Sequence, residues 1–170
     1  MVPKTPAAES KLWTIGGGHL TSTPKEKEDI AVYRLENSSM ISDVLNCGWR
    51  VLTDDDLEAG PLSHAMACGW PHARLRPVDG GLKAMLMAYH VHAIAAPRDV
   101  APVRPSDIFL SWPADTDEPV PKLDGISGSP IWSRRGDELR LVGVQHAVRR
   151  DEYIRGTHWG VVDYVISNRM

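Results

Sequence analysis

Leu123-Asp124-Gly125-Ile126-Ser127-Gly128-Ser129-Pro130-Ile131-Trp132 is the stretch whose reading decides the fold. A serine flanked by glycines at these offsets permits a tight backbone turn and leaves its hydroxyl unobstructed. The same turn can aim successive backbone N–H groups at one point, the arrangement acyl transfer needs to hold a developing oxyanion. Pro130 ends the turn, and Ile131-Trp132-Ser133 leaves it as an apolar strand. Gly, Ser and Pro are also the commonest turn residues, so an ordinary surface turn competes with the catalytic reading.

Downstream, Ile131-Trp132 and Leu139-Arg140-Leu141-Val142-Gly143-Val144 flank the polar segment Arg134-Arg135-Gly136-Asp137-Glu138. Two β-rich runs around a short Gly- and Asp-containing turn predict a hairpin. Turn and hairpin together resemble the chymotrypsin-like (trypsin-like) serine peptidases. Their nucleophile motif reads Gly-x-Ser-Gly-[Gly/Ser]-Pro, and their next strand but one carries Leu-Val-Gly-[Ile/Val]; Gly125 to Pro130 and Leu141 to Val144 match both. The resemblance implies that Ser127 is the nucleophile and that the N–H groups of Gly125 and Ser127 form the oxyanion hole. It also implies that Gln145-His146-Ala147 is the strand edge on which a peptide substrate lays its backbone. His146 aligns with a position beside the family's aspartate, where it either contacts that acid or bound peptide or is an edge residue without a catalytic part. Trp159 to Ile166 reads as the family's closing strand.

Upstream, Asp29-Ile30-Ala31-Val32-Tyr33-Arg34-Leu35 matches the run that carries the family's orienting aspartate, so Asp29 takes that role by resemblance. A carboxylate there fixes the imidazole tautomer and stabilises the imidazolium. The alternative is an ordinary strand preceded by a solvated acid in the Lys25-Glu26-Lys27-Glu28 turn. A serine hydroxyl also needs a base. His19, after Leu12 to Ile15 and Gly16-Gly17-Gly18, is the one histidine before Asp29, at a separation of ten residues. Two readings stand. Either His19 is the base, or Leu12 to Ile15 is a later strand of the first barrel and the base lies upstream of Met1.

Ser63 to Pro71 resembles the family strand that ends in Gly-[Tyr/Phe]-Pro, with His64 and His72 flanking it. Leu82 to Ile94 reads as one long half-buried strand, with Tyr89, Val91 and Ala93 alternating. His90 and His92 within it read as packed or hydrogen-bonded core residues. Ile108 to Trp112 is a further short strand, and Pro113 to Pro121 a loop. Pro121 stands six residues before Ser127, so no acidic side chain there selects a basic substrate residue.

Length and composition bound the remainder. The chain has 170 residues, enough for one domain that buries roughly two-thirds of its unfolded surface. The single Phe, six Trp, thirteen Pro and fourteen Gly suit many short strands and turns. A net charge of −3 supplies no basic stripe for nucleic acid. No apolar run approaches membrane-span length, and the first ten residues lack a leader pattern, so a cytoplasmic protein is expected if Met1 is the start. Two cysteines, Cys47 and Cys68, read as free thiols rather than a disulfide framework. Asp54-Asp55-Asp56 lacks the spaced oxygens and glycine of a calcium loop and reads as a solvated helix start or turn.

The expected fold is all-β: a chymotrypsin-like double β-barrel with an abbreviated or incomplete first barrel. About 1–70 would be the remnant of the first barrel and about 80–170 the second, within one peptidase domain. The expected function is a serine endopeptidase, acting on a peptide or protein substrate through Ser127, Asp29 and His19, as a monomer with no cofactor or metal. The alternative is a truncated or inactive domain that binds peptides or regulates. A nucleophile elbow of an α/β-hydrolase is set aside, because it needs Gly where Ser129 stands and its acid and histidine must follow the serine.

Overall fold

Period-two alternation builds the centre of the molecule. A computed structural model describes residues 19–22, 31–46, 51–79, 81–113, 120 and 123–169. Strands β1 (His19–Ser22) and β2 (Ala31–Arg34) pair antiparallel, and helix α1 (Ser38–Asn46) follows. Then come β3 (His64–Gly69), the hairpin β4 (Leu75–Val78) and β5 (Gly81–Ala84), β6 (Met87–His92), β7 (Asp107–Ser111), β8 (Pro130–Arg135), β9 (Glu138–Arg149) and β10 (Tyr153–His158). Helix α2 (Trp159–Arg169) is the last described element.

Six strands form one antiparallel sheet in the order β6-β3-β8-β9-β10-β7. Its two edges meet. Ala93 bridges Leu110, the Ile94 N–H donates to the Phe109 carbonyl at 2.9 Å, and the His92 N–H donates to Ser111 Oγ at 3.0 Å. The curl is therefore barrel-like. Alternation in β3 turns Ala65 and Ala67 inward; in β6 it turns Tyr89 and Val91 inward. With Ile108, Leu110, Leu123, Ile126, Ile131, Val142 and Ile154 they form the core. Each fully buried Leu or Ile contributes about 1.5–3 kcal/mol, and Leu110, Ile131 and Ile154 are each 0 % exposed.

The β8–β9 hairpin lies where the sequence predicts it, with Gly136 at φ +63 in its two-residue turn. β9 is the longest strand and pairs with β8 through Val144 and with β10 from Gly143 to Arg149. A bulge between Arg155 and Gly156 leaves His146 as the extra residue on β9. Glu58 staples the segment before β3 to this hairpin. Its N–H donates to the Leu141 carbonyl at 2.9 Å, and its carboxylate accepts from Ser133 Oγ at 2.6 Å and Arg135 Nε at 2.9 Å. The Trp159 indole N–H donates to the Glu58 carbonyl at 2.9 Å, which brings α2 to the same point.

The molecule is mostly β, but four expectations need correction. Trp159 to Ile166 is helical, and the last strand along the chain is β10 before it, which lies between β9 and β7 in the sheet. Its valines satisfy strand propensity, yet His158, Val161, Val162 and Val165 also fall at i, i+3, i+4 and i+7, and along that stripe Val165 is buried and the other three are half-buried. The Gly160 N–H donates to His158 Nδ1 at 3.1 Å, which starts the helix. Leu82 to Ile94 is two strands interrupted at Met85-Leu86, both exposed, rather than one. His90 and His92 lie on the exposed face of β6 instead of the core, with the His92 and His64 rings 4.7 Å apart. Asp56 is buried rather than solvated, because its carboxylate accepts from the Thr53 N–H at 2.8 Å.

The β1–β2 hairpin lies apart from the six-stranded sheet and packs on α2. The six-stranded sheet already begins at His64, so β3 is a member of it. No helix among the described residues is long and apolar enough to cross a membrane.

Candidate active site

The turn from Leu123 to Ser129 stands at the mouth of β8, between two neighbours fixed by strand order. On one side lies the end of β3 and the residues after it; on the other lies β9. Gly69 closes the first side. A Cβ there would come within 2.8 Å of Ser129 Oγ and 2.9 Å of Ile126 Cγ2, so the turn rests directly on bare backbone. Gln145 closes the second side. Its N–H donates to the Ser129 carbonyl at 3.0 Å, and its carbonyl accepts from the Gly128 N–H at 2.8 Å. The Gln145 side chain, 1 % exposed, reaches back to donate to the Cys68 carbonyl, which ties β9 to β3 beneath the turn.

Hydrogen bonds inside the turn are selective. The Ile126 N–H donates to the Leu123 carbonyl at 3.3 Å, and the Ser129 N–H to the Ile126 carbonyl at 3.0 Å. Among the described residues, the N–H groups of Gly125 and Ser127 have no acceptor. A left-handed backbone at Gly125 (φ +91) and Gly128 (φ +86) makes this pattern possible, since only glycine takes such angles without strain. Ser127 is exposed, and its hydroxyl donates to the His146 carbonyl at 3.4 Å.

A cleft of about 180 Å³ opens over this turn, lined by His72, Gly125, Ser127, Gln145, His146 and Ala147 among others. The structure thus brings together Ser127, Gly125, Gln145, His146 and Ala147. Gln145 is a support more than a surface, because its backbone and amide are committed to the turn and to β3. The pairing of β9 with β8 ends at Val144, and beyond Gln145 the half-buried His146 and the exposed Ala147 line the cleft. Asp29 lies outside the described residues; His19 is the first residue of β1, with its side chain outside the description.

His72 joins the cleft, although sequence order sets it aside. Its N–H donates to the Asp124 carbonyl at 2.8 Å, and its ring lies over Gly125, where a Cβ would meet Cδ2 at 2.7 Å. The signal that could have found it is the Gly69-Trp70-Pro71 stop at the end of β3, which holds the next residue, His72, beside the turn. Cys68 offers no competing nucleophile, since burial pushes its thiol pKa up and keeps it protonated. Cys47 lies outside the described residues.

A larger cavity, about 840 Å³, lies between Asp55-Asp56 and the tip of the β8–β9 hairpin. Among the described residues its lining offers no hydroxyl or thiol nucleophile, whereas the smaller cleft holds Ser127. Among the described residues no group of three or more His, Cys, Asp or Glu side chains is placed to hold a metal ion. No protein-family model matches the chain and no curated protein does; its own residues carry the functional reading.

Proposed function

We propose that the chain is a serine hydrolase of chymotrypsin-like architecture that cleaves peptide bonds through Ser127. The observation that carries this reading is the pair of N–H groups, on Gly125 and Ser127, left without acceptors beside an exposed serine hydroxyl. Two donors converging on one point stabilise the oxyanion of a tetrahedral intermediate, and losing one such donor costs on the order of 10²–10³ in rate.

In this reading the substrate pairs with the β9 edge from His146, which places its scissile carbonyl over the turn. Ser127 Oγ bonds to the carbonyl carbon and passes its proton to a base, assigned to His19 with Asp29 as orienter. The base returns the proton to the departing amine as the C–N bond breaks, and water then hydrolyses the acyl-enzyme. Ser127 Oγ must leave its 3.4 Å contact with the His146 carbonyl, which frees that carbonyl for a substrate N–H.

A second reading draws on the same contact. With its hydroxyl engaged by a carbonyl instead of an imidazole, the turn and the β9 edge serve as a peptide-binding module without turnover. Incubating the full chain with a peptide pool and mapping new N-termini by mass spectrometry decides between them. The hydrolase reading predicts cleavage by the wild type and none by Ser127→Ala. Identical peptide maps for the two proteins overturn the hydrolase reading.

A further inference from the structure

Two exposed basic side chains face each other on the hairpin that leaves the candidate site. Arg76 on β4 and Lys83 on β5 are register partners, so both side chains stand on one face of the β4–β5 ribbon. Like charges directly opposite repel, and among the described residues neither Arg76 nor Lys83 has an acidic partner. Asp79 at the hairpin tip pairs with neither. Val78, 49 % exposed, shares that face. The chain as a whole is acidic, with a net charge of −3, so this basic face runs against its overall balance.

Its place in the fold connects it to the turn. Gly69 at the end of β3 pairs with Met87 at the start of β6, and the β4–β5 hairpin is the excursion between them. It therefore springs from the end of the sheet that carries Ser127. His72 begins the excursion with its ring on Gly125, and the Met85 N–H donates to the Arg74 carbonyl at 3.3 Å to close its base. The β9 edge and the hairpin base thus flank the Ser127 turn on opposite sides.

The geometry points to a leaving-group subsite on the β4–β5 hairpin that selects substrates with acidic residues after the scissile bond; this rests on the hydrolase reading above. A peptide whose acyl portion pairs with the β9 edge passes Ser127 and continues over His72. Extended chain advances about 3.3 Å per residue, so the second to fourth residues beyond the cleaved bond cover a strand the length of β4. Carboxylates there pair with Arg76 and Lys83 and relieve their repulsion. Both pairs are solvent-exposed, so they set selectivity and encounter rate more than total affinity.

The test is fluorescence anisotropy with the full chain carrying Ser127→Ala, which removes turnover. Three labelled decapeptide pools share a randomised first part and end in three Glu, three Gln or three Lys residues. The Glu pool is expected to bind about fivefold more tightly than the Gln pool, with the Lys pool weakest. The preference is expected to fade near about 0.5 M salt and to reverse when Arg76→Glu and Lys83→Glu are added. Equal binding of the three pools, a preference that survives charge reversal, or no measurable binding of any pool overturns the subsite. A small fluorophosphonate reaching only Ser127 separates the two ideas: its adduct on an otherwise wild-type chain carrying Arg76→Glu and Lys83→Glu leaves the hydrolase reading standing whatever the pools do.

Discussion

The imidazole of His72 lies against the backbone of Gly125, so close that a Cβ at residue 125 would sit 2.7 Å from Cδ2 and 3.0 Å from Nε2. That contact joins the two sides of the candidate site. It fixes the turn whose N–H groups carry the proposed chemistry, and it sets an exposed histidine in the cleft beside Ser127.

Gly125→Ala is therefore expected to cost more than Gly128→Ala. Both glycines have positive φ, which costs a non-glycine residue about 1–2 kcal/mol, but a Cβ at Gly128 meets nothing within 4 Å. Urea denaturation should show the Gly125 variant about 1 kcal/mol or more below the Gly128 variant. Adding His72→Ala should recover that excess and leave the strain. A double-mutant cycle with no coupling between residues 72 and 125 contradicts the contact.

The tight Gly125-to-Pro130 turn and the β8–β9 hairpin are legible in the sequence because both are local. Gly136 and the alternation of Leu139, Leu141 and Gly143 specify a tight hairpin without help from distant residues. His72 was not legible, because its place beside Gly125 depends on β3 pairing with β8 across more than sixty intervening positions. Trp159 to Ile166 misled for another reason. Val161, Val162 and Val165 fit a strand by propensity and a helix by period, and the packing around the buried Val165 decides for the helix.

That helix makes a sharp prediction. Val165 is 0 % exposed and Ile166 is 48 % exposed. Val165→Ala should destabilise the chain by about 2 kcal/mol, and Ile166→Ala by less than about 0.5 kcal/mol, measured by chemical denaturation. Asp163→Ala, exposed in the helix, should match Ile166→Ala, whereas strand alternation would set residue 163 on the buried face beside Val165.

Acid should unlock the Glu58 staple. The hydrogen bond from Arg135 is the main cause that lowers the Glu58 carboxyl from 4.5 to about 2, aided by Ser133 and the Gly60 N–H and opposed by burial. A carboxyl depressed in the folded state stabilises it fully above its unfolded pKa, and that contribution is lost as pH falls from about 5 towards 2. With Arg135 half exposed, the contribution is about 2–3 kcal/mol at neutral pH. Glu58→Gln should lose about that much at pH 7 and flatten the fall in unfolding free energy between pH 5 and 2. An unchanged acid limb in the variant contradicts the role given to Glu58.

Ser127 is proposed as the nucleophile, with the N–H groups of Gly125 and Ser127 left open to hold an oxyanion. Treating the full chain with a fluorophosphonate and measuring intact mass tests it most directly. One covalent adduct is expected, mapped to Ser127 by peptide sequencing and abolished by Ser127→Ala. An unmodified wild-type chain, or an adduct that persists in Ser127→Ala, contradicts it.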